Sequence, residues 1–219
     1  MLSVLTVSVR PDRLKIVEDC LKKQTFKDYE WVVEDYVDKT KIWSFNEASN
    51  KAIKKSKGGL LVFIQDSIWF KPDALEKFYF HFQRSPQACV SGVGDQYSKL
   101  DKNGKPVDKV WLDPRKRTDI GTLYECRPED WELNFCSLPR QLIYTIGGFD
   151  EELDRFYGMD NVAVAYRLDS IGARFYLDQT NESFTLQHGR RKDWNENHWM
   201  KHGFWDFLKG RSPKLEYLP

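Results

Sequence analysis

Short apolar runs alternate with helical stripes along the first part of the chain. Leu2 to Val9 is rich in β-branched residues and predicts a strand. Arg10-Pro11-Asp12 then opens a helix, with Leu14, Val17, Cys20 and Leu21 on one face. Tyr29 to Val33 predicts a second strand, which ends on Glu34-Asp35. The next helix begins with a capping box, Ser44 with Glu47. Its stripe is Phe45, Ala48, Ala52 and Ile53, and it stops at Lys57-Gly58-Gly59. Gly59 to Ile64 is almost unbroken in its apolar character, as in a strand covered on both faces. Pro72 opens a third helix, with Leu75, Phe78, Tyr79 and Phe82 to one side. This alternation predicts βαβ units, a mostly parallel sheet and right-handed crossovers.

Past Ser85-Pro86 the alternation fades. Ala88 to Val93 predicts a strand, and Asp101-Lys102-Asn103-Gly104 a hairpin tip, since Asn-Gly favours a type I′ turn. Lys109 to Asp130 shows no period, and its Arg115-Lys116-Arg117 cluster reads as a solvated loop. Order resumes at Trp131 to Cys136, followed by a short helix over Arg140 to Thr145 that Gly147-Gly148 closes. Asp160 to Ile171 is apolar over much of its circumference and predicts a buried helix. Arg174 to Leu177 and Ser183 to Leu186 predict two short strands, and an aromatic and basic tail follows over 191–219.

A chain of 219 residues fits one domain with a sizeable core. Basic and acidic residues nearly cancel, 34 against 33, which removes any bulk electrostatic case for nucleic acid. No apolar run approaches the ~20 residues that span a bilayer, and Met1-Leu2-Ser3 leads into a strand rather than a signal peptide. Cys20, Cys89, Cys126 and Cys136 lack metal-type spacing and read as reduced thiols of a cytoplasmic protein. The many aromatics mildly favour a carbohydrate ligand.

One candidate for chemistry stands out. The apolar run to Ile64 breaks into Gln65-Asp66-Ser67, a polar triplet at a strand's carboxyl end, where open α/β sheets bind ligands. Asp and Ser are also ordinary turn formers.

Four stretches in order carry a resemblance to the GT-A glycosyltransferases of the family-2-like group. They are Ser3 to Gln24-Thr25-Phe26 with its Arg-Pro-Asp, Val32-Val33-Glu34-Asp35, Asn46 to Trp69, and Gly147-Gly148-Phe149-Asp150-Glu151 with Gly158-Met159-Asp160-Asn161. The resemblance implies a Rossmann-like α/β fold with a smaller antiparallel subsheet on the acceptor side. It implies a transferase domain over 1–190, with a donor half at 1–95 and an acceptor and catalytic half at 96–190. The implied chemistry moves a sugar from a nucleotide donor, often a UDP-sugar, to the hydroxyl of a carbohydrate acceptor. The family's Asp-x-Asp is here Gln65-Asp66-Ser67, and Met159 replaces the Glu of its Glu-Asp pair.

By the same resemblance, Thr6, Ser8, Arg10, Glu34, Asp35, Gln65, Asp66 and Arg190 would meet the donor. Asp66 and His188 would hold Mn²⁺ or Mg²⁺, and Arg191 and Lys192 would lie close to the diphosphate. Asp160 would be the general base of an inverting transfer, although Asp before a helical run is also a normal N-cap. Trp131, Glu132 and Asp150 would approach the acceptor, with Trp131 equally suited to the core. A retaining transferase and a catalytically weak nucleotide-sugar or glycan-binding module stand as rival readings. A nucleotidyltransferase would carry a glycine-rich loop where Ser8-Val9-Arg10-Pro11 has none.

Overall fold

A computed structural model describes residues 1–8, 10–35, 44–102, 105–155, 160–186 and 218, with the backbone only at 155 and 160. The sheet begins with β1 (Leu2–Ser8), β2 (Tyr29–Asp35) and β3 (Leu60–Ile64), which pair in parallel around a central β1. Helices α1 (Leu14–Lys22) and α2 (Phe45–Lys55) lie in the connections between them. β1 and β3 are buried at every position; the unbroken apolar run of β3 requires it, and β1 buries Ser3, Thr6 and Ser8 along with its apolar residues.

The rest of the sheet is β4 (Ile68–Phe70), β5 (Ala88–Leu100), β6 (Pro106–Trp111), β7 (Leu123–Glu125), β8 (Phe135–Pro139) and β9 (Arg174–Leu186). The order is β2-β1-β3-β8-β5-β9-β4, with β6 beside β5 and β7 beside β9. β8 runs antiparallel to both β3 and β5, and β5 is parallel to β9. The long strands therefore share one direction, while β4, β6, β7 and β8 oppose it. Helices α3 (Ala74–Arg84), α4 (Arg140–Thr145) and α5 (Asp160–Asp169) complete the described elements.

Two hydrophobic clusters cover the sheet. One joins α1 and α3 to Leu2, Val4, Leu60, Val62 and Ile64. The other joins α2, α4 and α5 to Leu5, Phe63, Trp131, Phe149 and Phe175. Alternate residues of β1 and β3 thus feed opposite layers, as a strand's period of two dictates.

Position 95 lies inside β5, and residues on both sides of it contribute strands to the one sheet. Two local expectations change. The two short strands expected after 174 are one, because the bulge between Asp178 and Glu182 shifts register without ending the pairing. Ser44 makes no side-chain cap on α2. Asp154 does so from a distance, accepting the Asn46 and Glu47 backbone N–H groups at 2.8 and 3.1 Å. A carboxylate at a helix N-terminus meets both orphan donors and the positive end of the helix dipole, so it outcompetes a local hydroxyl. Beyond the helical region, Leu218 is buried and donates its N–H to the Gly147 carbonyl at 3.2 Å.

Candidate functional site

The carboxyl ends of β1, β2 and β3 meet on one side of the sheet. Ser8 pairs with Asp35 in the parallel register, and β3 delivers Asp66 two residues past its end. Ser8 Oγ donates to Asp66 Oδ2 at 2.7 Å, and Arg10 Nη1 lies 3.4 Å from Asp66 Oδ1. Ser67 Oγ donates to the same Oδ1 at 3.2 Å and accepts from Arg13 Nη1 at 3.1 Å. Asp66 is 7% exposed, so these neighbours fix its carboxylate. Arg10 and Arg13 after β1, the strand-end Ser8, and Asp66-Ser67 therefore form a single polar cluster carrying two guanidinium groups.

Ser67 has φ of +73°, a conformation that costs a non-glycine residue of order 1 kcal/mol and gathers at functional sites. Its carbonyl accepts the Leu186 N–H at 3.0 Å, which locks the triplet to the end of β9. On the other flank, Gln65 donates its N–H to the Asn134 carbonyl at 3.0 Å. Gln65-Asp66-Ser67 is thus braced from both sides.

The other expected donor residues sit nearby with different roles. Thr6 is buried, and its hydroxyl accepts Trp31 Nε1 at 3.0 Å, so it supports the β1–β2 pair. Glu34 is buried and bonds Lys55 of α2. Asp35 is exposed at the end of β2. His188, Arg190, Arg191 and Lys192 lie outside the described residues, as does the side chain of Asp160; its backbone begins α5.

Asp160 follows a loop clamped to α2. Asn50 donates Nδ2 to the Phe149 carbonyl and to Glu151 Oε1, both at 2.9 Å, and accepts the Phe149 N–H at 2.8 Å. Gly148 has φ of +96°, and a Cβ there would come within 2.7 Å of Asn50 Oδ1. That close approach explains the second glycine of the pair. Asp150 is buried and accepts the Glu152 N–H at 3.1 Å, so its carboxylate shapes the loop.

Trp131 corrects the acceptor expectation. It is wholly buried, edge-on to Phe175, because an indole between two core-facing strands gains more from packing than from a rim position. Glu132 keeps a half-open place beside it. Its carboxyl is raised above the ordinary glutamate range by burial, with Arg115 pulling the other way.

Arg115 was not legible as a site residue. Far from being solvated, it grips Asp113 through Nε at 2.9 Å and Nη2 at 2.7 Å and reaches the Asp130 carbonyl at 3.0 Å. Burial would raise Asp113, but Arg115 and the Gly94 N–H hold it low. Lys116 joins Asp95 at 3.1 Å, and only Arg117 is well exposed.

For a divalent cation, the protein's share among the described residues is one carboxylate, Asp66, and one hydroxyl, Ser67. Hard cations take oxygen ligands and commonly complete their shell with phosphate oxygens and water. Among the described residues no group of three or more His, Cys, Asp or Glu side chains is placed to hold a metal ion, and both Asp66 oxygens already have protein partners.

No protein-family profile matches the chain, and no curated protein matches it by sequence. Solved structures do match by shape. GalNAc-T7 with UDP, GalNAc and Mn²⁺ is similar with a TM-score of 0.66 and 15% identity, over 95% of this chain and 49% of its own. S. aureus TarS 1-349 in complex with UDP-GlcNAc is similar with a TM-score of 0.60 and 14% identity, over 87% of this chain and 59% of its own. The chain therefore spans about half to three fifths of these two structures. Both neighbours are GT-A glycosyltransferases, and the fold of this chain is the GT-A fold.

Proposed function

We propose that this protein transfers a sugar from a nucleotide-sugar donor, of the UDP class, to the hydroxyl of a carbohydrate acceptor. The observation that carries the reading is the convergence of Ser8, Arg10, Arg13, Asp66 and Ser67 beyond the carboxyl ends of β1 and β3. Guanidinium groups fit phosphate oxygens, and a diphosphate is the leaving group such a cluster suits. In this reading Asp35, opposite Ser8 in the parallel register, would accept a hydrogen bond from the uracil imide or a ribose hydroxyl. The UDP and UDP-GlcNAc of the similar structures support the donor class.

In the transfer, the acceptor oxygen bonds to the anomeric carbon as the bond from that carbon to the diphosphate oxygen breaks. The bonding pair leaves with the nucleoside diphosphate. Asp160 takes the acceptor proton in this reading, which makes the transfer inverting. A divalent ion, when bound by Asp66 and Ser67, would offset charge gathering on the diphosphate. The described helices include none long and apolar enough to cross a membrane. Four free cysteines support a cytoplasmic setting, and polysaccharide assembly is the process we assign.

A thermal-shift screen tests this reading. UDP and UDP-sugars should raise the melting temperature more than ADP or GDP, because a ligand of the folded form stabilises by mass action. Asp66→Ala should remove the shift, with or without Mn²⁺. Asp160→Asn should keep the shift and slow transfer by about 10²–10⁴-fold. A shift equal for all nucleotides, or untouched by Asp66→Ala, would overturn the donor site. Product of retained anomeric configuration would overturn the inverting mechanism.

A further inference from the structure

The polar cluster beyond β1 and β3 holds two guanidinium groups but one carboxylate. Pro11–Arg13 is a 3₁₀ turn directly after β1, and the Arg13 N–H donates to the Arg10 carbonyl at 2.9 Å. A repeat of three residues brings Arg10 and Arg13 to the same side. Both reach the triplet, Arg10 at Asp66 and Arg13 at Ser67. Ser8 Oγ accepts the Arg10 N–H at 3.0 Å while donating to Asp66 Oδ2, which ties the start of the turn to the carboxylate. Within this hydrogen-bonded set Asp66 balances one guanidinium and leaves one positive charge over. Among the described residues Arg13 has no carboxylate partner, and its contact in the cluster is the neutral Ser67 hydroxyl.

A cation at Asp66 and a pair of guanidinium groups are alternative ways to offset the charge of a diphosphate, and the cluster favours the second. Both oxygens of Asp66 are engaged, Oδ2 by Ser8 and Oδ1 by Ser67, with Arg10 3.4 Å from Oδ1. A divalent ion on this buried carboxylate would have to displace one of these groups. It would also sit beside guanidinium charge, where little solvent screens the repulsion. A phosphate meets the opposite situation, since planar N–H forks match its oxygens and the surplus charge attracts it. We propose that Arg10 and Arg13 hold the donor's diphosphate in place of a divalent cation, so that the nucleotide binds without metal. Asp66 and Ser67 then act as positioning residues for the two guanidinium groups. The family resemblance assigns Arg10 to the donor and gives Arg13 no role. The inference rests on the nucleotide-sugar reading for the identity of the ligand, and its own content is the cation requirement and Arg13.

Two consequences separate guanidinium from metal. UDP should bind in a chelator as tightly as in Mn²⁺, or more tightly, because Mn²⁺ on free UDP neutralises the charge that the arginines attract. Its affinity should also fall as salt rises, since Arg10 is 31% exposed and solvent ions screen such a charge. Uridine, which carries no phosphate, should respond to neither.

The experiment uses the full chain in EDTA and in Mn²⁺, with calorimetry to read UDP and saturation-transfer NMR to read uridine. Arg13→Gln should weaken UDP in EDTA by about tenfold, the scale of a hydrogen bond to a charged group, and leave uridine unchanged. Arg13→Lys keeps the charge but loses the planar fork, so its UDP affinity should fall between the two, and it serves equally if the Gln variant does not fold. Loss of UDP binding in EDTA with recovery in Mn²⁺ would overturn the proposal, because a cation then holds the diphosphate. Wild-type UDP affinity in Arg13→Gln would overturn it too, as would an equal loss for UDP and uridine, the mark of a structural role. Failure of the transferase reading shows separately, as equal affinities for UDP, ADP and GDP. The comparison of EDTA with Mn²⁺ then still decides the cation requirement with any of the three. No binding of UDP in either medium would overturn both.

Discussion

The two sides of the sheet treat charge in opposite ways. In β1 and β3 every position is buried, and charge waits at the strand ends, where Asp66 sits in a buried polar cluster and Asp35 closes β2 at an exposed position. Around β5 and the segment from Asp95 to Glu132, charge is folded inward. Asp113 is fully buried with Arg115 at 11% exposure, and Asp95 sits at 3% between Lys109 and Lys116. The first arrangement leaves polar groups for a ligand. The second spends them on holding an irregular segment that lacks a hydrophobic stripe of its own.

The comparison breaks most readily at Asp113. Asp113→Ala removes the two carboxylate oxygens that Arg115 grips through Nε and Nη2, and the partner of the Gly94 N–H. Stripping one member from a buried ion pair costs about 3–5 kcal/mol, because the remaining charge stays desolvated. On the donor side, Asp66→Ala removes the Ser8 and Ser67 bonds and a 3.4 Å contact with Arg10. That loss should be about 1.5–3 kcal/mol, the scale of hydrogen bonds to a charged group, while UDP binding disappears. Urea denaturation of both variants checks the contrast. Equal losses would mean that Asp66 is as structural as Asp113.

A smaller effect is expected at Asp154, which joins the late loop to the early helix α2. Asp154→Ala deprives the Asn46 and Glu47 N–H groups of their cap, and should cost about 1–2 kcal/mol. Asp154→Asn keeps an oxygen and should recover part of it. If Ser44 took over the cap instead, Asp154→Ala would melt like the wild type.

The same contrast decides what was legible beforehand. The stripes of α1 and α2 and the run Leu60–Ile64 announce local elements, because burial of one face is written in local periodicity. Asp66 was legible for the same reason, as the carboxylate that interrupts an apolar run. Arg115 was not, since its partners Asp113, Glu132 and the Asp130 carbonyl are brought together only by tertiary contact. Asp154 hid similarly, 108 positions from the Asn46 amide it caps, while Ser44 and Glu47 offered a plausible local alternative. Trp131 followed neither pattern: an aromatic in an aromatic-rich chain does not declare whether it faces core or ligand. Its immediate neighbours Glu132 and Leu133 alternate in a way that fits burial, and the structure places it there.

The smallest expected effect sharpens the comparison at Glu132. Carboxylates of the inward network are held low: Asp113 by Arg115 and backbone N–H groups, and Asp178 by His81 at 2.8 Å and by Thr180, in each case against burial. Their stabilisation is present above the ordinary aspartate range and is lost as pH falls through their lowered values. Glu132 has the opposite sign. Burial raises it in the folded chain, while in the unfolded chain it titrates at about 4.3. The folded state therefore binds its proton more tightly, and the stability Glu132 contributes in its protonated form is lost as pH rises from that ordinary value through the raised one. Glu132→Gln mimics the protonated form at every pH. It should melt like the wild type at acid pH and slightly above it at neutral pH. With over a third of the side chain exposed, solvent screening keeps the gain below about 1 kcal/mol. Melting temperatures of the pair across that pH range measure the difference. A Gln variant less stable than the wild type at neutral pH would make Glu132 one more structural partner of Arg115, and would place it with Asp113 on the inward side of the contrast.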